Sequence, residues 1–204
     1  MIALSGIAHG LYIFVLSYDL IQKVGNFLGS CSRPSTVMSQ QRTRTGLFHT
    51  MLLTELIPPE AVFPSLKVNS KKHALQELSD RAGLISGLAP REIFDVLLQR
   101  ERLGSTGIGE GIAIPHGKLA GAKKMFGIFA RLARPIDFDA LDGAPVDLVC
   151  LLIAPETAGA DHLKALARMA RVLRDPRITA KLRAARDVSA LYAVLTGETA
   201  SHAA

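Results

Sequence analysis

Residues 100–119 read RERLGSTGIGEGIAIPHGKL, and they hold the densest chemistry in the chain. His116 follows Pro115 at the end of a short apolar run, with Gly111 and Gly117 removing side-chain bulk on either side. The glycines are spaced GxGxG rather than GxGxxG, and Pro115 is a poor start for a helix whose N–H groups would meet a pyrophosphate, so a dinucleotide loop does not fit. The hydroxyls of Ser105 and Thr106, the open amides of the glycine-rich stretch and Arg100 at the end of the preceding helical pattern suit a phosphoryl group instead. His162, preceded by Asp161 at the start of a later helix, would present an imidazole at the positive end of that helix, where anions are favoured. A neutral imidazole nitrogen is a good nucleophile near its ordinary pKa of about 6.5. Phosphoryl transfer then asks mainly for positioning and charge stabilisation. A serine triad fits poorly, since GIGEG carries no serine at a nucleophile elbow and no acid is tied to His116. His116 and His162 lack a third ligand at recognisable spacing, so no metal or cofactor is expected. Each residue also has a plainer reading: a histidine that merely ends a strand, an arginine complementing a helix dipole, a solvated helix-start histidine.

The elements that would position these groups follow from periodicity and punctuation. Asn69 or Ser70 caps a helix with Ala74, Leu75, Leu78 and Ala82 on one face, closed by Gly83. A second helix opens with Pro90 and Glu92, buries Ile93, Phe94, Val96, Leu97 and Leu98, and stops at Gly104. GIAI at 111–114 predicts a strand ended by Pro115, so that His116 emerges at the end of the sheet. A strand over 124–132 is ended by Pro135, and the continuous apolar run 146–155 is typical of a strand covered on both faces. Helices follow over 161–174, 176–186 and 187–196, the last capped by Asp187 and closed by Gly197. This order predicts an α/β fold, a three-layer α/β/α sandwich.

Composition bounds the rest. A chain of 204 residues with 49% hydrophobic and 21% charged residues fits one soluble domain, with or without a tail. Half of the net +6 comes from residues 1–50, where Lys23, Arg33, Arg42 and Arg44 stand against Asp19, so the balance does not argue for nucleic acid. Cys31 and Cys150 offer no disulfide or zinc framework and fit a reducing compartment. The opening MIALSGIAHGLYIFVLSYDLI is broken by His9, Ser17 and Asp19, and its uninterrupted LYIFVL falls far short of the roughly 20 residues of a membrane helix. No basic n-region precedes it, so it is also a poor secretory signal. The polar, basic and aperiodic stretch 31–50 reads as disordered. The expected organisation is therefore a disordered or over-extended start over 1–50, with Met51 the initiator, and a folded unit over 51–204; the alternative is a weak membrane anchor or regulatory extension. Lys118, Lys123 and Lys124 are expected to be solvated or to border a docking face, His73 to lie at the surface, and Asp137, Asp139 and Asp142 to be loop acids.

The run 100–119, with PIDFDALDGAPVDLVCLLIAP at 135–155 and DHLKALARMARVL at 161–173, resembles the enzyme IIA domains of the fructose/mannitol class of the phosphoenolpyruvate-dependent phosphotransferase system, and among them the nitrogen-regulatory IIA branch. The resemblance spans about residues 53–197 and implies a mixed, roughly five-stranded sheet flanked by helices. It implies that His116 is the phosphoacceptor nucleophile, that His162 hydrogen-bonds the phosphoryl oxygens, that Arg100 stabilises charge, and that Ser105, Thr106 and Gly117 form the phosphoryl-binding loop. The implied donor is an HPr-like phosphocarrier and the implied location the cytoplasm, with no cofactor, metal, nucleic acid or membrane insertion. Relatives commonly carry asparagine where this chain has Glu110; a carboxylate pointing inward would repel the phosphoryl group, and a solvent-facing one, the expectation, would not. Two roles remain open: a regulatory phosphoprotein whose two states bind different targets, or a sugar-specific IIA that passes the group to a IIB domain. With no IIB or IIC segment in the 204 residues, regulation is the expectation. The mass of the protein made from its native gene is expected to correspond to a start at Met51, and finding residues 1–50 attached would overturn that start.

Overall fold

The computed structural model describes residues 53–201, so the expectations for residues 1–50 lie outside the described residues. A short helix α1 (Leu53–Leu56) and a 3₁₀ turn (Pro59–Ala61) lead into β1 (Val62–Leu66). Two helices follow, α2 (Lys71–Ser86) and α3 (Pro90–Arg102), then three short strands, β2 (Gly107–Gly109), β3 (Ile112–Ala113) and β4 (His116–Leu119). The long strands β5 (Phe126–Ile136) and β6 (Val146–Pro155) complete the sheet, and α4 (Gly159–Leu173), α5 (Pro176–Ala184) and α6 (Val188–Ser201) close the fold. Among the described residues no helix is long and apolar enough to cross a membrane.

The sheet is mixed. Its order is β1-β5-β6-β3-β2, with β4 also on β6 as the continuation of β3. β5 and β6 are antiparallel, whereas β1 on β5 and β3 and β4 on β6 are parallel. Six strands thus occupy five positions, in agreement with the expected sheet. β6 is buried from Leu148 to Ala154 without a break, as a strand covered on both faces must be.

Residue parity assigns the layers. Gly127 and Cys150 look toward Met169 of α4, and Leu152, opposite Gly127 in the register, shares that face. His116 pairs with Leu152 and therefore projects to the α4 side. Gly117 projects to the other side, where Val96 and Leu97 of α3 lie directly over it. α5 belongs to the α4 layer: Arg131, on the same face as Phe129, donates to the carbonyls of Leu182, Arg183 and Ala185 at the end of that helix.

Several predicted boundaries move, each for a reason in the packing. Gly83 does not close α2, because the helix runs on to Ser86 and ends at Gly87, which holds the left-handed φ of 73°. Gly83 instead makes room for α3: a Cβ there would lie 2.6 Å from Pro90 Cγ. Ser70 is the cap, accepting from the His73 amide. Pro115 does not end the strand. It forgoes one donor, but its carbonyl accepts from Leu152 N and pairing with β6 resumes at His116. His116 thus sits within the ladder rather than beyond it. Pro135 likewise lies inside β5, at the irregular stretch where the register to β6 shifts between Arg131 and Ile136. Gly197 lies within α6 rather than after it, while Asp187 caps that helix through the Ala190 amide. β1 and β2 have no counterpart in the sequence-based reading. β1 carries Pro64, tolerated because the strand is at the sheet edge, and β2 is glycine-rich.

The contact of α3 with β4 depends on Gly117. A Cβ there would meet Val96 Cγ1 at 2.4 Å, and valine is too stiff to turn away. Gly117→Ala is expected to cost about 1–3 kcal/mol of stability in denaturant unfolding, as overpacking of a close contact does.

Candidate functional site

His116, His162 and Arg100 meet in an open hollow lined also by Val96, Gln99, Arg102, Leu103, Gly117 and Lys118. Three elements deliver them: His116 is the first residue of β4, His162 lies in the first turn of α4, and Arg100 lies in the last turn of α3. The two imidazoles stand with ring centroids 5.7 Å apart and planes inclined by 53°. The arginine's Nε donates to His116 Nε2 at 3.1 Å, and its Nη1 donates to the Gly104 carbonyl at 3.0 Å. Of the sequence-predicted residues, these three are therefore brought together.

The bonds around His116 define its tautomer. Nδ1 lies 2.8 Å from the Ile114 carbonyl, which can only accept, so Nδ1 carries the proton. Nε2 then holds the free electron pair, and the Arg100 N–H points at it. Burial is the main reason the ring resists protonation; its pKa falls to about 4, with the Arg100 and His162 charges pushing the same way and the Ile114 bond opposing. Burial also draws the Arg100 guanidinium below its ordinary value. His162 is only 7% exposed, and its Nε2 is buried without a hydrogen-bond partner. Its pKa too is lowered by burial, with a smaller push from Lys118. The solvated helix-start alternative for this histidine is therefore wrong. The arrangement offers a neutral nitrogen nucleophile, a fixed cation beside it and a second imidazole edge with bonding capacity to spare.

The predicted phosphoryl loop is engaged differently. Ser105 Oγ donates to the Phe138 carbonyl at 2.6 Å and accepts from Gly107 N at 3.0 Å. Thr106 is buried, with its backbone N–H and its hydroxyl both turned to the carboxylate of Glu101, the hydroxyl at 2.7 Å. Gly117 serves the helix contact described above. These three residues shape the loop and the α3 contact, and both hydroxyls are spent away from the rings. Gly111, at φ 79°, is hemmed by Arg183 and Asp147 rather than left open. Sequence reasoning overlooked Glu101 and Lys71, whose Nζ reaches Glu101, the Phe138 carbonyl and Asp139. The signal available was a carboxylate in the last turn of a helix, where the dipole disfavours it.

The remaining expectations find their places. Glu110 is exposed at the β2–β3 turn and does not line the hollow; its φ of 56° lies in the left-handed region, the reason asparagine suits that position. Asp142 is a loop acid that accepts from the Glu110 and Ala144 amides, which holds its carboxyl below the usual range. Lys118, Lys123 and Lys124 are exposed, and Lys118 borders the hollow. His73 is half-exposed, bonded to Asn69. Cys150 is a buried free thiol, pushed up to about 12 by burial.

A mixed sheet between helix layers thus gathers a neutral histidine, a second histidine and an arginine in one hollow. Residues 55–197 match the family described as phosphoenolpyruvate-dependent sugar phosphotransferase system, EIIA 2. The chain belongs to that family. It is 63% identical over 145 residues to a nitrogen regulatory protein of Bradyrhizobium diazoefficiens, covering 71% of this chain and 95% of the relative. A nitrogen regulatory protein of Escherichia coli is 40% identical over 148 residues, covering 72% and 91%. The crystal structure of nitrogen regulatory protein IIA-Ntr from Neisseria meningitidis superposes with a TM-score of 0.68 at 37% identity, covering 71% of this chain and 99% of the other. IIA mannitol from Escherichia coli shares the fold, with a TM-score of 0.58 at 22% identity over 68% of this chain and 98% of that one.

The electrostatics give a pH signature. An unfolded histidine titrates near 6.5, whereas His116 in the fold waits until about 4. The unfolded chain therefore binds the proton first, and stability fully present above pH 6.5 drains away as the pH falls to 4. In denaturant titrations the wild-type protein is expected to lose about 3 kcal/mol more over that interval than His116→Gln. His162, shifted in the same direction, adds to the loss in both proteins.

Proposed function

We propose that this chain is a nitrogen-regulatory IIA component of the phosphotransferase system: it takes a phosphoryl group onto His116 Nε2 from an HPr-like phosphohistidine carrier and regulates target proteins through its phosphorylation state. The observation that carries this reading is the pair of bonds on the His116 ring, which leaves Nε2 unprotonated and aimed at Arg100. In the transfer, the Nε2 lone pair attacks the phosphorus of the carrier's phosphohistidine. The carrier's N–P bond breaks, and its electron pair returns to the carrier's imidazole nitrogen as the new N–P bond forms on His116. The ring keeps its Nδ1 proton throughout, and the Ile114 carbonyl accepts that proton's bond while positive charge builds on the ring. Arg100 hands its Nε–H from Nε2 to a phosphoryl oxygen, so the cation follows the developing negative charge. His162 Nε2, which has no partner in the free site, donates to a second oxygen. Residues 51–204 form the phosphoacceptor domain, and no covalent assistance beyond His116 is needed.

Support for regulation over sugar transport comes from the relatives. Those named nitrogen regulatory protein reach 63% and 40% identity along nearly their whole length. The fructose-specific EIIABC component of Bacillus subtilis reaches 33%, and this chain spans 23% of it. The soluble fold and reducing-compartment composition suit the cytoplasm, and a IIB acceptor is the alternative partner. Adding about −1.5 to −2 charges to the hollow changes which surfaces fit it without a change of fold.

Incubation with radiolabelled phosphoenolpyruvate, the system's first enzyme and carrier is expected to give acid-labile, base-stable label that disappears in His116→Ala. In His162→Ala the label is expected to persist with transfer slowed by about 10²-fold, since a stabilising donor is lost while the nucleophile stays. Complete loss of label in a folded His162→Ala protein would reverse the two roles.

A further inference from the structure

Glu101 is a charged residue in the wrong place for stability alone. It sits in the last turn of α3, where the helix dipole opposes a negative charge, and it is only 7% exposed. A buried carboxylate is retained at a cost unless its oxygens are fully occupied. Here they are: Thr106 donates through both its backbone N–H and its hydroxyl, and Lys71 Nζ lies 3.3 Å away. Lys71 in turn reaches the Phe138 carbonyl, the same carbonyl that accepts from Ser105. The turn between α3 and β2 is thus tied at Ser105 and Thr106 to fixed points outside itself. Its Gly104 carbonyl receives the Arg100 Nη1 bond, which sets the direction of the Nε–H aimed at His116 Nε2. Adjacent helical positions point about 100° apart, so Arg100 can face the hollow while Glu101 grips the loop.

We propose that Glu101 is a positioning residue for phosphoryl acceptance: by holding Thr106 it fixes the Gly104 carbonyl that orients the Arg100 guanidinium on His116. The consequence for chemistry rests on the reading of His116 as acceptor, but the geometric effect does not. Two readouts separate them. In Glu101→Gln the neutral amide weakens the grip on Thr106 and drops the ionic hold of Lys71, and Arg100 is released from its anchored direction.

The test uses the full chain, ¹⁵N-labelled on histidine, for wild type, Glu101→Gln, Thr106→Val and the core truncation Leu182→Ala on α5, which supplies nothing to the site. Expected for Glu101→Gln is a changed Nε2 resonance of His116 and a ring titration moved up toward the ordinary histidine value. Thr106→Val, which keeps the backbone bond and removes only the hydroxyl, is expected to move both the same way by less, and it carries the test if Glu101→Gln fails to fold. Transfer from the phosphocarrier is expected to fall about tenfold or more in kcat with KM for the carrier unchanged, the pattern of a misplaced group rather than a lost docking contact. An unchanged His116 ring in the folded variants overturns the proposal. So does an equal disturbance in Leu182→Ala, because the effect would then belong to general loosening. A shifted ring with no labelling in any protein, wild type included, leaves the positioning role standing and refutes the acceptor reading.

Discussion

The bond from His116 Nδ1 to the Ile114 carbonyl governs what the rest of the molecule can do. It joins a ring to the backbone two residues behind it, so it is set by the local path of the strand and needs no distant partner. Its effect is to choose between two tautomers of similar intrinsic energy, and that choice decides which nitrogen faces the hollow as a base. With the other tautomer, Nε2 would carry a proton toward the Arg100 N–H, donor against donor. The arginine would then have nothing to bind on the ring, and the nucleophile would be hidden against the strand.

A tautomer is useful only if the ring looks to the correct side of the sheet, and that depends on register. His116 lies opposite Leu152, on the face that α4 covers, and Gly117 lies opposite Ile153 beneath α3. A slip of one residue along β6 would exchange the two, placing the imidazole under Val96 and the glycine in the hollow. Pro115 leaves one donor out of this ladder, yet its carbonyl still engages Leu152 N, so the register is held on both sides of the gap. Because α3 approaches closely only over a glycine, the distance that lets Arg100 reach the ring is fixed by the same alternation.

This division explains what could be read from the chain beforehand. The grouping of His116, Arg100 and His162 was legible because residue types, glycine spacing and helix ends are local properties. The layer order was legible from periodicity, and the run 146–155 announced a doubly covered strand. Features that depend on partners far along the chain were not. Pro115 reads as a stop until β6 is known to continue beside it. Gly83 reads as a helix end until Pro90 is seen packed on it. Ser105 and Thr106 read as ligands for an anion because nothing in the sequence says that Phe138 and Glu101 will occupy their hydroxyls. β1 and β2 are short, with a proline in one and two glycines in the other, and they become strands because neighbours supply the ladder, not because of propensity.

The same rigidity constrains how phosphorylation could be read by another protein. His116 is held in a ladder, its neighbour is wedged under α3, and the arginine's turn is tied through Glu101 and Lys71, so little backbone freedom is left to report a modification by movement. Under the proposed function, what would change is charge: a neutral ring beside a cation would become a dianion held between that cation and a second imidazole. Exposed Arg102, Leu103 and Lys118 rim the hollow. A partner distinguishing the two forms would therefore meet one shape carrying two different potentials, and its selectivity would weaken with salt to the extent that it rests on that difference.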